Sequence, residues 1–267
     1  MRHFFIVLLV GLTFNLSAYS SDDAVMVDGV DISRPYDASD NVQADVDAVL
    51  ARAGNSGKLA LVIMGGNWCH DSRALAKRFH DPKLAPLMAD NYETLFIDVG
   101  YLNKSFDVNK RFGMPVIYAT PTVMIIDPKT GARVNADNMH QWGSAEKISL
   151  EDTIAYFELM ASPEKRTVNH DDASPKLKAL YDQIDAYEVE QSKRIYKGFS
   201  VVGPLLKAYK NGEKNPKFEA YWFELAKMRT KVGPSIQILK DEAKSRVEAG
   251  EENIKLDFPS YAAFSWE

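Results

Sequence analysis

The chain has 267 residues, of which 46% are hydrophobic and 26% charged, with a formal charge of −5; this is the balance of a folded globular protein rather than a disordered one. The mild acidity argues against nucleic acid or an anionic membrane surface as the main partner. A single cysteine, Cys69, excludes any intramolecular disulfide and leaves an intermolecular one open.

The first residues have the pattern of a secretory signal. Arg2 is the basic head, Phe4 to Leu12 the apolar core, and Ala18-Tyr19-Ser20 a small-x-small cleavage pattern. The apolar stretch is too short to span a bilayer, and no later segment approaches the roughly 20 apolar residues that a span needs. The expectation is a signal peptide over residues 1–20, cleaved near Ser20, and a periplasmic or secreted mature protein with no membrane partner after its removal. In an oxidising compartment a lone cysteine is either buried and inert or retained for chemistry.

Residues 21–40 are polar and read as an extended leader. Val42, Val46, Val49 and Leu50 recur at helical spacing, and Gly54-Asn55-Ser56-Gly57 ends that helix. The apolar run Leu59 to Met64 reads as a buried strand, followed by a helix with Leu75, Ala76 and Phe79 on its inner side. Leu84 to Met88 continues beyond the break at Asp81-Pro82. Thr94 to Val99 and Thr122 to Asp127 are further strands, with a short helix Phe106 to Phe112 between them. Arg133 to Ala136 is expected to return as a hairpin strand, and Leu150 to Met160 to close the unit as a helix. Strands alternating with helices predict an α/β fold whose sheet is covered on both faces. Beyond the polar boundary at Ser162-Pro163-Glu164-Lys165, helical spacing dominates. Gly203-Pro204, Asn211-Gly212 and Gly233-Pro234 divide that region into an expected three or four helices. The aromatic tail Phe258, Tyr261, Phe264, Trp266 is expected to fold back onto a core, with a partner-binding patch as the alternative.

Cys69 stands in Gly65-Gly66-Asn67-Trp68-Cys69-His70-Asp71-Ser72. Strand, glycine turn and helix in that order put the thiol in a first helical turn. There it meets unpaired backbone N–H groups and the positive end of the helix dipole, which favour the reactive thiolate. Asp71 opposes that effect, and a protonated His70 would offset Asp71. Ser72 either donates to the thiolate from the next turn or satisfies backbone groups. Trp68 shapes the turn and flanks the thiol.

Three features resemble the thioredoxin superfamily over about Asn41 to Ala161. They are Trp68-Cys69-His70-Asp71-Ser72 after a strand, Phe96-Ile97-Asp98 before a short helix ending at Phe112-Gly113, and Thr120-Pro121-Thr122 opening a strand. The resemblance implies a thioredoxin-like fold, a central mixed sheet flanked by helices, over residues 41–162, with an all-α C-terminal region over 163–267. It also implies that Thr120 and Pro121, as a cis-proline loop, lie beside Cys69 and offer backbone groups to a substrate strand. Gly113-Met114-Pro115 competes for that role. Ser72 stands where the family has its second cysteine, and Ile63 where many members keep a buried Asp. The two departures agree, because without a second thiol a buried carboxylate has a cost and no use.

The resulting expectation is single-cysteine thiol–disulfide exchange. Cys69 is the nucleophile, with Ser72 and His70 as its catalytic neighbours, and Trp68, Thr120 and Pro121 bind substrate. Whether the chain is an enzyme, a monothiol oxidoreductase or isomerase, stays open. The partner is a protein with a disulfide or reactive thiol, or a glutathione adduct; no cofactor is expected. Two rivals remain: a non-catalytic binding scaffold with an inert Cys69, and metal delivery. The second is disfavoured by one cysteine and no histidine pair at helical spacing, so no metal ligand is assigned.

Overall fold

In the computed structural model the described residues are 26–27, 30–136, 139–163 and 174–267. The expected signal peptide and most of the polar boundary lie outside them. A short ribbon, β1 (Met26–Val27) with β2 (Val30–Asp31), precedes the main body. The rest of the leader packs against the body. Tyr36 is buried and sets the edge of its ring against Phe96, with 5.3 Å between centroids.

Helix α1 (Val42–Ser56) starts where the Asn41 side chain accepts from the Ala44 N–H. It stops at Gly57, whose φ of 71° suits glycine. The sheet has the order β4-β3-β5. Central β3 (Leu59–Gly65) runs parallel to β4 (Tyr92–Asp98) and antiparallel to β5 (Thr122–Ile126). Every β3 residue is buried, as its unbroken apolar run requires. Its side chains alternate between two cores. Leu59, Leu61 and Ile63 pack with α2 (His70–Arg78), α3 (Ala85–Asn91), a 3₁₀ segment (Met139–Lys147) and α5 (Leu150–Ala161). Ala60, Val62 and Met64 pack with α1 and α4 (Phe106–Arg111).

Arg133 to Ala136 does not form the expected strand: the Arg133–Ile126 bridge is isolated. The buried amide of Asn135 takes the strand's place. It accepts from the Ile125 N–H and donates to the Val123 carbonyl, both at 2.9 Å.

The C-terminal region is two long helices, α6 (Pro175–Lys210) and α7 (Phe218–Glu248), where three or four were expected. Of the three punctuating pairs only Asn211-Gly212 ends a helix; Pro204 and Pro234 lie inside theirs. The glycines before them serve close packing. A Cβ on Gly203 would lie 2.4 Å from the Tyr101 carbonyl oxygen, and one on Gly233 2.5 Å from the His140 ring. Both helices join the core on the Val62 and Met64 side of the sheet, through Phe199, Val202, Leu225 and Val232. The aromatic tail folds back: Phe264 is buried, and Trp266 packs on Tyr221. Among the described residues no helix is long and apolar enough to cross a membrane.

Candidate functional site

The turn between β3 and α2 is built by close approach. A Cβ on Gly65 would meet Ser72 Oγ and the Tyr36 ring at 2.6 Å, and one on Gly66 would meet Trp68 Nε1 at 2.5 Å. Asn67 clips the turn to the leader: its Oδ1 accepts from the Tyr36 N–H at 3.2 Å, and its Nδ2 donates to the Tyr36 carbonyl at 3.1 Å. Trp68 donates from Nε1 to the Gly100 carbonyl at 2.6 Å and stacks on Tyr101. Cys69 is the N-cap of α2 in an extended conformation, and its N–H donates back to the Gly66 carbonyl.

Cys69 is 8% exposed, and one residue holds its sulfur. Sγ donates to the Thr120 carbonyl at 3.2 Å, and Thr120 Oγ1 donates to Sγ at 3.4 Å. The carbonyl suits the thiol, which has a proton to give; the hydroxyl suits the thiolate, which only accepts. The Thr120–Pro121 peptide is cis, not Met114–Pro115, and β5 begins at the next residue.

Neither Ser72 nor His70, the expected catalytic neighbours, hydrogen-bonds to the sulfur. Ser72 is fully buried, but its Oγ makes no hydrogen bond and lies against the Gly65 backbone, so the donation to Cys69 is not made. His70 points its exposed ring at carboxylates, with Nε2 3.1 Å from Asp71 and 3.7 Å from Glu146. Asp71 accepts from the Glu146 N–H at 3.0 Å. Burial pushes the Asp71 carboxyl above its ordinary range, against that hydrogen bond and the His70 charge, which pull it down. Asp98 is structural: it accepts from the Gly100 N–H and pairs with Lys104 at 2.7 Å.

Residues 40–128 match the family model described as thioredoxin-like. Over these residues the sequence is thioredoxin-like. The whole is a thioredoxin-like fold, a mixed sheet flanked by helices, with a helical C-terminal region. Among solved structures, the chain is similar to a disulphide isomerase from Xylella fastidiosa Temecula1. The two are 26% identical, with 48% of this chain and 98% of that one covered and a TM-score of 0.45. No curated protein matches the sequence.

Outside the thioredoxin-like match, α6 and α7 form one wall of a cleft of about 520 Å³ that opens onto Cys69. Trp68, Cys69 and Thr120 line one side; Tyr209, Phe218, Trp222 and Arg229 line the other. The Trp222 ring meets Trp68 edge-on at 6.3 Å. Sequence reasoning missed this wall and Arg229 in particular. The signal was present: Arg229 occupies the buried register of α7, between Leu225 and Val232, where an apolar side chain is expected.

Proposed function

We propose that this chain is an exported protein that exchanges thiols and disulfides through its single cysteine. The observation that carries this reading is the position of Cys69 Sγ. Cys69 occupies the N-cap position of α2, and its sulfur lies between the carbonyl and hydroxyl of Thr120 on the lining of a cleft of about 520 Å³. The thiolate attacks one sulfur of a partner disulfide, forms the Cys69–partner bond and expels the other sulfur as a thiolate. Thr120 and Pro121 align the partner's chain. Cys69 has no second thiol in the chain to resolve it, so an external thiolate attacks the partner's sulfur and regenerates the Cys69 thiolate. No net electrons pass to the protein, which suits isomerisation or deglutathionylation rather than net oxidation.

The test is exchange between a fluorescent peptide disulfide and reduced glutathione, followed with the mature chain and with Cys69→Ser. The proposal expects catalysed exchange that the substitution abolishes. Equal rates with both proteins would overturn it and favour a binding scaffold, for which the low exposure of Cys69, 8%, is the supporting observation.

A further inference from the structure

Helix α7 brings a buried charge to the cleft wall. Arg229 is 5% exposed. Its Nε donates to the Tyr118 carbonyl at 3.1 Å, and its guanidinium carbon lies 5.0 Å from the centre of the Phe199 ring. Nη2 is buried and has no hydrogen-bond partner among the described residues. A cation taken out of water without an anion is costly, and a methionine or leucine would fill the same register without that cost. The question is which anion offsets it.

The groups around the sulfur narrow the answer. From α2 come His70, Asp71 and Arg73. The two carboxylates on that side are engaged elsewhere: Asp71 with the Glu146 backbone and His70, Glu146 with His70. Arg73 donates to the Asn67 carbonyl. On the helical wall Glu219 is exposed, as is Lys210 at the end of α6. Tyr118 gives its hydroxyl proton to Glu188, at 2.5 Å. Tyr36 feels the charge on Cys69 but stays a neutral phenol, because burial pushes its ionisation up. Burial also brings the Arg229 guanidinium down to about 10, and a charge on Cys69 is what counters that fall. The interaction is mutual: a thiolate that favours the guanidinium is favoured by it in equal measure.

We propose that Arg229 is a positioning residue for Cys69, a fixed cation supplied by the helical region that holds the sulfur as a thiolate within the cleft. When the thiol ionises, its proton passes to water and the charge stays on Sγ. Thr120 Oγ1 then serves as the donor, in place of Sγ donating to the Thr120 carbonyl. The same arginine steadies the loop, since its Nε holds Tyr118, two residues before Thr120. The inference rests on the exchange reading for what the thiolate is used for, but not for the pairing itself.

The test is the pH profile of iodoacetamide alkylation of Cys69 in the full mature chain, for wild type, Arg229→Gln, Arg229→Met and Arg229→Lys. Glutamine keeps a donor for Tyr118, methionine keeps the apolar packing, and lysine keeps the charge. The proposal expects the two neutral variants to raise the alkylation midpoint by roughly one pH unit, and lysine to stay near wild type. Neutral variants that melt like wild type and keep its midpoint would overturn it. So would a lysine variant displaced as far as methionine. A measurement that leaves Arg229 intact guards against misfolding. The Arg229 ¹⁵Nε resonance should move through the alkylation midpoint in wild type and stay flat in Cys69→Ser; a flat wild-type titration overturns the pairing. Midpoints that follow Arg229 without peptide exchange in any protein uphold the pairing and sink the exchange reading. Exchange with a midpoint indifferent to Arg229 does the reverse.

Discussion

Replacing Thr120 with valine removes a single donor and keeps the shape. Thr120 is 8% exposed, and its Oγ1 lies 3.4 Å from Cys69 Sγ. Valine is β-branched like threonine, and the Thr120 carbonyl that accepts from the thiol is backbone and remains. The loss therefore falls on the thiolate alone. A hydrogen bond to a charged group contributes about 1.5–3 kcal/mol, and the long contact to sulfur places this one at the lower end. At 1.36 kcal/mol per pH unit, the expected rise in the alkylation midpoint is about one unit. The assay is the mass-resolved rate of iodoacetamide labelling against pH, with thermal melting as the control for folding. The plateau rate at high pH should not change, because there every molecule is already a thiolate. Thr120→Ser should restore the midpoint. A valine variant that melts normally with an unmoved midpoint would refute the claim that the hydroxyl serves the thiolate.

Three further outcomes are expected. Asn67→Ala removes both hydrogen bonds to the Tyr36 backbone and should cost about 1–3 kcal/mol of stability; a melting temperature equal to wild type would show that the leader is held without this clip. Gly203→Ala places a methyl 2.4 Å from the Tyr101 carbonyl oxygen, so overpacking should cost about 1–3 kcal/mol; a neutral denaturation result would mean that α6 does not lie as close as described. Burial raises the Glu188 carboxyl above its ordinary range, while the Tyr118 hydrogen bond pulls it down. A raised carboxyl contributes stability that is full at low pH and lost as pH rises through the folded value. Glu188→Gln keeps an acceptor for Tyr118 and removes that loss, so its melting temperature relative to wild type should climb from acid to neutral pH; a difference constant with pH would contradict this.

The parts of the fold legible in the sequence were those that local chemistry dictates. The apolar run at Leu59 could only be a buried strand. The run Gly54-Asn55-Ser56-Gly57 marked the end of α1 to within three residues, and the glycine pair before Trp68 marked the turn that delivers Cys69. What stayed hidden depended on contacts distant in the sequence. Gly203-Pro204 and Gly233-Pro234 resemble breaks, yet packing against Tyr101 and His140 carries both helices through. Asn135 satisfies two strand groups with one side chain, so the expected hairpin strand was not needed. Ser72 and His70 were placed with Cys69 by proximity in sequence, but helical rotation aims them at Gly65 and at carboxylates. Arg229 lies 160 residues beyond the cysteine it faces, and only the docking of α7 brings the two to one cleft.

The central claim is that Cys69 in the folded chain forms a mixed disulfide that needs an outside thiol for release. Intact-mass measurement of the mature protein, incubated with a peptide disulfide and then with reduced glutathione, tests it directly. A single peptide adduct on Cys69 is expected, persisting until glutathione is added and then disappearing. A folded protein whose mass never changes, with Cys69 labelled only after denaturation, would contradict it.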